Sequence, residues 1–248
     1  LVKINTKNLF NNLRTYHQYI KELYIGKHCS KCNMLLDVGS AHLKSLRFWK
    51  KLGVKNIIAI EPSEDLYKIG ISRQQKNTFA KEHITYIRGV GEKNWESGEA
   101  GLNKRSKELF KSIKNVKANC ITFEFTIHYM LYNIDVLLTN IIRFCTRNTK
   151  IIIHCLNGDI IESLLSNKKK HNITLNKDVV FYVEKMYKNT DKHKKINVYF
   201  KGTQGLDNVV SEYIVTPKDI IDTFVKNRFE LTEFTKFQEH KPHQYNLS

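Results

Sequence analysis

Two acidic residues and one glycine lie where a nucleoside could bind. The apolar run "NMLLDV" predicts a buried strand that reaches Asp37, and Gly39 in the next turn allows a ligand to approach the backbone closely. Glu61 ends a second predicted strand, "KNIIAIE", at the spacing where a carboxylate binds the hydroxyl pair of a ribose. Because the carboxyl ends of parallel strands meet at one sheet edge, we expect a nucleoside-bearing cofactor there.

The turn at 37–42 favours a cofactor without phosphates. A dinucleotide needs a G-x-G-x-x-G turn that places its pyrophosphate against a helix N-terminus, and the turn has the single glycine Gly39. S-adenosylmethionine carries an ammonium and a sulfonium group, which suit the acid at Asp37 better than phosphates do. The alternative is a purely structural turn in which Asp37 caps the next helix.

A second group of polar and aromatic residues follows the fourth predicted strand, at the same expected sheet edge. The segment "TFEFTIHYML" places Glu124, Phe125, His128 and Tyr129 there. Aromatic faces stack on bases, and a carboxylate can accept hydrogen bonds from a guanine edge. The group therefore resembles one wall of a ligand site, although aromatic packing at a strand end would give the same pattern.

The order of elements predicts a Rossmann-like α/β fold. A helix over 7–25 is followed by alternating strands and helices, which is typical of a mainly parallel sheet with helices on both faces. After residue 170 three strands follow in meander order, and we expect them to add antiparallel strands at one sheet edge. We predict one domain over 1–248, with a cofactor-binding core at 33–165 and further strands and C-terminal elements at 166–248.

The charge of the chain indicates a polyanionic partner. The net charge is +17 over 248 residues, which favours RNA or DNA, whereas a solvated lysine-rich surface without a specific role is the alternative. No stretch is long and apolar enough to span a membrane, and none resembles a secretory signal. The chain begins with Leu1, and we expect it to be a fragment of a longer polypeptide.

The five cysteines predict a reducing compartment, because their number is odd. Cys29 and Cys32 form a C-x-x-C, but a zinc site would need a second ligand pair with suitable spacing. A redox pair would open a helix, whereas this one precedes a predicted strand. We therefore expect two structural thiols and no metal.

Four segments in order over 11–215 resemble mRNA cap guanine-N7 methyltransferases. "TFEFTIHYML" is similar to their Q-F-x-x-H-Y-S-F, "NNLRTYHQYIKELYIG" to their R-N-x-N-N-W-I-K-x-x-L-I, "LLDVGSAHLKSLRFWKK" to their L-D-L-G-C-G-K-G-G-D-L-x-K-W-K-K, and "SEYIV" to their P-E-Y-L-V. The resemblance implies a class I S-adenosylmethionine-dependent methyltransferase with a seven-stranded type of sheet. It also implies methyl transfer to guanine N7 of a GpppRNA cap, with S-adenosylhomocysteine as the product.

The resemblance implies a role for individual residues. Those that match cofactor-binding positions are Lys21, Asp37, Gly39, Glu61, Val90, Glu124 and Tyr129. Those that match cap-binding positions are His17, Gln18, His42, Arg73, Phe125, His128, Tyr129 and Glu212. No residue is needed as a general acid or base, and Tyr129, Phe125 and Glu212 would act by positioning the guanine.

The chain departs from the family at the glycine-rich turn. Ala41, Leu43 and Lys44 stand at glycine positions, and Ser45 stands where the family has Asp. The acid near adenine has no clear counterpart, so Val90 could bond adenine only through its backbone. Cofactor binding could therefore be weaker than usual, or could use bulkier contacts from the turn.

The chain looks most like the methyltransferase domain of a capping enzyme from a large cytoplasmic DNA virus. That implies capped RNA as the substrate, triphosphatase and guanylyltransferase domains upstream, a stimulatory subunit as in some viral relatives, and the cytoplasm of an infected cell or the virion as the location. Two alternatives stay open. One is a non-catalytic RNA-binding module on this fold, and the other is a methyltransferase that acts on a different target, such as a 2′-hydroxyl or a protein.

Overall fold

The chain folds into two compact units. The computed structural model describes residues 6–175, 177–188, 190–201 and 209–240, with side chains from residue 11 onward. Residues 21–155 form one unit, called here the core unit, and residues 1–20 with 156–248 form the other, called the flanking unit. Helix α1, Thr6–Cys29, contributes to both units. One functional domain over the whole chain stays a prediction.

The core unit contains a five-stranded parallel sheet with the order β3-β2-β1-β4-β5. Its strands are β1 (Met34–Val38), β2 (Asn56–Glu61), β3 (Ile84–Arg88), β4 (Cys120–Glu124) and β5 (Lys150–His154). Its other helices are α2 (Leu46–Leu52), α3 (Glu64–Gln75), α4 (Thr78–His83), α5 (Lys104–Ser112) and α6 (Ile134–Phe144). The strand order reverses at β1 and β4, which is where such sheets bind ligands.

Apolar runs explain why the strands lie inside. The central strands β1, β2 and β4 are buried over almost their whole length, because helices cover both faces of a parallel sheet. Trp49 and Leu43 pack against them in the main core. The predicted Rossmann-like α/β class is confirmed.

The predicted end of the first helix was wrong, because α1 continues through Gly26 to Cys29. Asn77 separates α3 from α4, and its side chain accepts a hydrogen bond from Ala80 N as the N-cap of α4. Strand β6, Lys170–Leu175, was not predicted, because its sequence KHNITL has only a short apolar alternation.

The flanking unit contains an antiparallel sheet with the order β6-β7-β8-β9. Strands β7 (Asp178–Lys185), β8 (Lys195–Phe200) and β9 (Val210–Tyr213) follow β6 in the predicted meander. They form their own four-stranded sheet rather than extending the parallel one. Helices α7 (Gly158–Leu165) and α8 (Pro217–Lys226) complete the unit, and Thr216 starts α8 with a capping box.

The expectation of free structural thiols was wrong for Cys29. Cys29 and Cys120 form a disulfide with their Cα atoms 5.9 Å apart, while Cys32 is free. The partners are 91 residues apart in sequence, so the spacing of cysteines could not indicate the pair. Among the helices that the structure describes, none is both long and apolar enough to cross a membrane.

Candidate functional site

The turn after β1 keeps left-handed backbone conformations without the glycines that usually supply them. Gly39 has a φ of 85°, and Ala41 and Leu43 have φ values of 48° and 58°. Residues with a side chain avoid this region at a cost of about 1–2 kcal/mol each. Leu43 is 1% exposed and packs in the main core, so burial of its side chain offsets part of that strain.

Hydrogen bonds hold this turn against the end of β2. The N–H groups of Gly39 and Ser40 both donate to Ile60 O, at 2.8 and 2.9 Å. Ala41 N donates to the Glu61 carboxylate at 2.8 Å, and the Tyr86 hydroxyl donates to Ala41 O. The turn is therefore fixed in place by protein contacts alone.

Asp37 is a buried carboxylic acid at the end of β1. It is 3% exposed and accepts a hydrogen bond from Thr122 Oγ1 at 2.7 Å. Burial raises the pKa of Asp37 to about 7, and the carboxylates of Glu124 and Glu61 add to that rise, while Thr122 and Lys21 oppose it. The region therefore has an excess of negative charge that a cation would relieve.

Glu61 lies at the end of β2, where the ribose acid was predicted. Its two carboxylate oxygens accept hydrogen bonds from Ala41 N and Ser63 N, each at 2.8 Å. Burial raises the pKa of Glu61, and these two bonds lower it in part. A ribose would have to use the second lone pairs of the same oxygens.

Glu124 at the end of β4 belongs to a buried polar group that includes a residue missed from the sequence. His154 Nδ1 lies 2.9 and 3.0 Å from the two Glu124 oxygens, and Lys21 Nζ lies 3.4 Å from one of them. Burial raises the pKa of Glu124, but His154 and Lys21 outweigh it and hold that pKa below its usual value. The signal for His154 was its position at the carboxyl end of β5, directly opposite Glu124 in the register.

Phe125 begins an irregular segment after β4. Its φ of 58° is unusual for a bulky residue, and strain of this kind clusters at functional sites. Phe125 N donates to His154 O at 2.8 Å, and Lys21 Nζ lies 5.8 Å from the centre of the Phe125 ring. The rings of His128 and Tyr129 follow with centroids 4.2 Å apart, His128 buried and Tyr129 43% exposed.

His42 and Arg73, both at positions that match cap-binding residues, lie together. Arg73 Nη1 donates to His42 O at 3.1 Å. Burial, together with the charges of Arg73 and Lys44, lowers the pKa of His42 to about 4. His42 is therefore neutral at pH 7, and the positive charge here comes from Arg73 and Lys44.

Val90 already uses the backbone group that was expected to face adenine. Val90 N donates to Ala100 O at 3.1 Å, and Val90 O accepts from Trp95 Nε1 at 3.0 Å. Asn140 fixes the same loop through bonds to Gly91 O and Trp95 N. A contact from Val90 to adenine stays a prediction, and the N–H group is not available for it.

The remaining predicted cap residues belong to the flanking unit. The His17 ring contacts Phe237 edge-on, with centroids 5.7 Å apart, and Gln18 follows on α1. Glu212 is buried on β9, opposite Ile196. Their roles stay predictions. Within the described ranges, no group of three or more His, Cys, Asp or Glu residues could hold a metal ion.

The proteins to which the chain is similar include two viral capping proteins and a solved methyltransferase. It is 26% identical over 242 residues to the probable mRNA-capping enzyme of Acanthamoeba polyphaga mimivirus, covering 86% of this chain and 20% of that protein. It is 20% identical over 233 residues to the mRNA-capping enzyme catalytic subunit of Fowlpox virus (strain NVSL), covering 89% of this chain and 25% of that protein. The chain thus spans a fifth to a quarter of the length of these relatives.

The solved structure supports the fold assignment. It is an S-adenosylmethionine-dependent methyltransferase from Clostridium acetobutylicum ATCC 824, which matches with a TM-score of 0.54 at 11% identity over 98% of this chain and 88% of that one. No protein-family model matches the chain. The parallel sheet, its switch point and this match together show that the chain has the fold of class I S-adenosylmethionine-dependent methyltransferases.

Proposed function

We propose that this chain is a methyltransferase that acts on guanine N7 of the GpppRNA cap and uses S-adenosylmethionine. The observation that carries the proposal is the set of carboxylates at the carboxyl ends of three neighbouring strands. Asp37, Glu61 and Glu124 interact electrostatically there, with Lys21 as a counter-charge. A ligand with an ammonium, a sulfonium and one carboxylate complements these three acidic side chains and one lysine. The capping enzymes to which the chain is similar support the RNA substrate.

The residues of the core unit can hold such a cofactor. Lys21 would bind its carboxylate and Asp37 its ammonium, while Glu61 would accept from the ribose hydroxyls. S-adenosylmethionine supplies an electrophilic methyl group on a sulfonium and leaves as the neutral S-adenosylhomocysteine. Guanine N7 has a lone pair and no proton to lose, so none of these side chains has to act as a base.

Catalysis then rests on positioning and on electrostatics. Holding N7 in line with the methyl group can lower the barrier by about 7–11 kcal/mol. Positive charge moves onto the guanine ring during transfer, and an aromatic face stabilises it. We assign this task to two groups of the core unit. They are the exposed ring of Tyr129 and the ring of Phe125, whose backbone has the left-handed conformation.

Mapping of the transferred methyl group tests the proposal. The chain is incubated with GpppRNA and labelled S-adenosylmethionine, and nuclease digestion followed by mass spectrometry locates the methyl. We expect 7-methylguanosine from the cap. A methyl on a ribose 2′-oxygen, or none on RNA, would contradict the proposal.

A second candidate is an RNA-binding module without activity. It is favoured by the protein contacts that already occupy both Glu61 oxygens and the Val90 N–H group. Calorimetry with S-adenosylmethionine separates the two candidates. Heat of binding at micromolar to millimolar cofactor supports the enzyme, and its absence at millimolar cofactor supports the module.

The affinity for S-adenosylmethionine is expected to rise with pH through the pKa of Asp37. Because that pKa is about 7, most of the carboxyl is protonated at pH 6 and ionised at pH 8. A cationic cofactor binds the ionised form, so its Kd should fall roughly tenfold over this range. Titration calorimetry at both pH values measures the change.

The Asp37→Asn variant is the control, because any titration of the cofactor itself persists in it. We expect weak, nearly pH-independent binding by the variant.

The raised pKa of Asp37 also affects the stability of the protein. A raised folded-state pKa gives stability that is present at acidic pH and lost as pH rises through 7, so the wild type should lose stability from pH 4 to 8 relative to the variant. If the Kd and the free energy of unfolding change with pH by the same amount in both proteins, the role of Asp37 is disproved.

Loss of the Tyr129 ring is expected to slow methyl transfer more than loss of its hydroxyl. Tyr129→Ala should reduce kcat/KM for capped RNA by about tenfold, the equivalent of one aromatic–cation contact. Tyr129→Phe keeps the ring and should stay within about twofold, because the contact needs only the ring face. Tyr132→Ala, at a more exposed tyrosine nearby, serves as the matched control. Similar losses for Ala and Phe would refute stacking by the ring.

A further inference from the structure

The antiparallel sheet of the flanking unit has one apolar and one polar face. Val183, Ile196 and Val198 point toward the buried cluster that includes Ile161 and Leu165 of α7. Side chains alternate along a strand, so their neighbours point the other way. The strand register places nine residues on that second face, called here the open face: Lys170, Asn172, Tyr182, Glu184, Lys195, Asn197, Tyr199, Ser211 and Tyr213.

All nine residues of the open face are exposed or partly exposed. At its centre Tyr182 and Tyr199 pair across β7 and β8, and their rings stack with centroids 5.1 Å apart and planes 18° apart. Lys170 Nζ lies 3.5 Å from the centre of the Tyr182 ring. Ser211 Oγ donates to Asn197 Oδ1 at 2.7 Å beside this pair. The face therefore combines aromatic surface with amide and hydroxyl groups.

Lysines surround one end of the same sheet. From residue 168 to 195 the chain has nine lysines against three acidic residues, a net charge of +6. Backbone bonds bring several of them together, because Lys185 N donates to Lys169 O at 2.8 Å and Met186 N donates to Lys195 O at 3.0 Å. This charge favours a polyanion over an apolar protein surface.

We propose that the open face binds single-stranded RNA. Unpaired bases stack on aromatic side chains, and lysines at the margin hold the phosphates. A duplex keeps its bases paired, so it cannot offer them to Tyr182 and Tyr199. Asn172, Asn197 and Ser211 are short polar groups that tolerate any base, so sequence preference should be weak. The proposal does not rest on methyl transfer, because binding is measured without a cap or cofactor.

Fluorescence anisotropy with a labelled, uncapped twelve-nucleotide oligouridylate tests this site. Replacing both Tyr182 and Tyr199 by alanine should raise the Kd by about fivefold or more, because even one base stacked on this tyrosine pair contributes a gain of that size. Replacing both by phenylalanine should leave the Kd within about twofold. Tyr19→Ala, at an exposed tyrosine on α1, should have no effect. A duplex of the same length should bind at least tenfold more weakly than the single strand.

A charge reversal keeps both tyrosines and changes the charge that lies beside them. Lys170→Glu changes an exposed side chain, so the fold should survive, and circular dichroism checks this. The variant should weaken RNA binding several-fold and reduce the salt dependence of Kd. Two results would overturn the proposal: wild-type affinity in both the alanine double variant and Lys170→Glu, or equal affinity for duplex and single strand. Either result would favour a protein partner at this face.

Discussion

Replacing Gly39 by alanine is expected to lower the free energy of unfolding by about 2–4 kcal/mol. The backbone at Gly39 has a φ of 85°, which disfavours any side chain. A Cβ there would lie 2.2 Å from Thr126 Cγ2 and 2.6 Å from Thr126 Cβ. Thr126 cannot easily move away, because its hydroxyl donates to Val38 O at 2.7 Å. Urea denaturation followed by circular dichroism measures the loss.

Gly53→Ala separates the two causes of this loss. Gly53 also has a positive φ, of 68°, but a Cβ there would meet nothing within 4 Å. Its substitution should therefore cost about 1–2 kcal/mol, from backbone strain alone. An equal loss for Gly39→Ala and Gly53→Ala would show that contact with Thr126 does not constrain the turn.

Removal of the His154 imidazole is expected to cost about 1.5–3 kcal/mol at neutral pH. The His154→Ala variant leaves the Glu124 carboxylate buried with Lys21 at 3.4 Å and without its bonds to Nδ1. The edge contact with Tyr24, at 5.8 Å between ring centroids, is lost as well. Unfolding in urea at pH 7.5 measures the cost, and cofactor binding should weaken together with stability.

The pH dependence and a second substitution identify the buried charge as the cause. In the wild type the lowered pKa of Glu124 contributes stability that is present above the usual carboxyl pKa and lost on acidification. In His154→Ala the deficit should shrink on acidification, because Glu124 then takes up a proton and loses its buried charge. Adding Glu124→Gln to His154→Ala should recover part of the loss at pH 7.5. If the loss of stability depends neither on pH nor on the Glu124→Gln substitution, a packing defect is the cause instead.

Local patterns were sufficient to predict the parallel sheet. Apolar runs such as 33–38 and 55–61 determine strands that are buried on both faces, and Ser63 and Thr216 mark helix starts. The edge at which Asp37, Glu61 and Glu124 meet followed from those strands, because parallel strands end together. That part of the candidate site depends on strand ends rather than on packing.

The features that were not predicted depend on tertiary contacts, which local sequence patterns do not show. His154 can be recognised as part of the site only from the strand register, which sets it opposite Glu124. Cys29 pairs with a cysteine on a strand that is distant in sequence. The left-handed conformation of Ala41 follows from bonds to Glu61 and Tyr86, and that of Leu43 accompanies burial in the core. Residue type alone predicts the opposite, since such positions favour glycine.

The turn after β1 also has a thermodynamic consequence for ligand entry. A glycine-rich turn has many conformations in the unfolded chain and stays adaptable when folded, whereas Ala41 and Leu43 restrict the chain in both states. The conformational entropy of this turn is therefore lost when the protein folds, before any ligand arrives. A ligand that fits the turn meets a preorganised surface, and one that needs a different shape has little freedom to induce it.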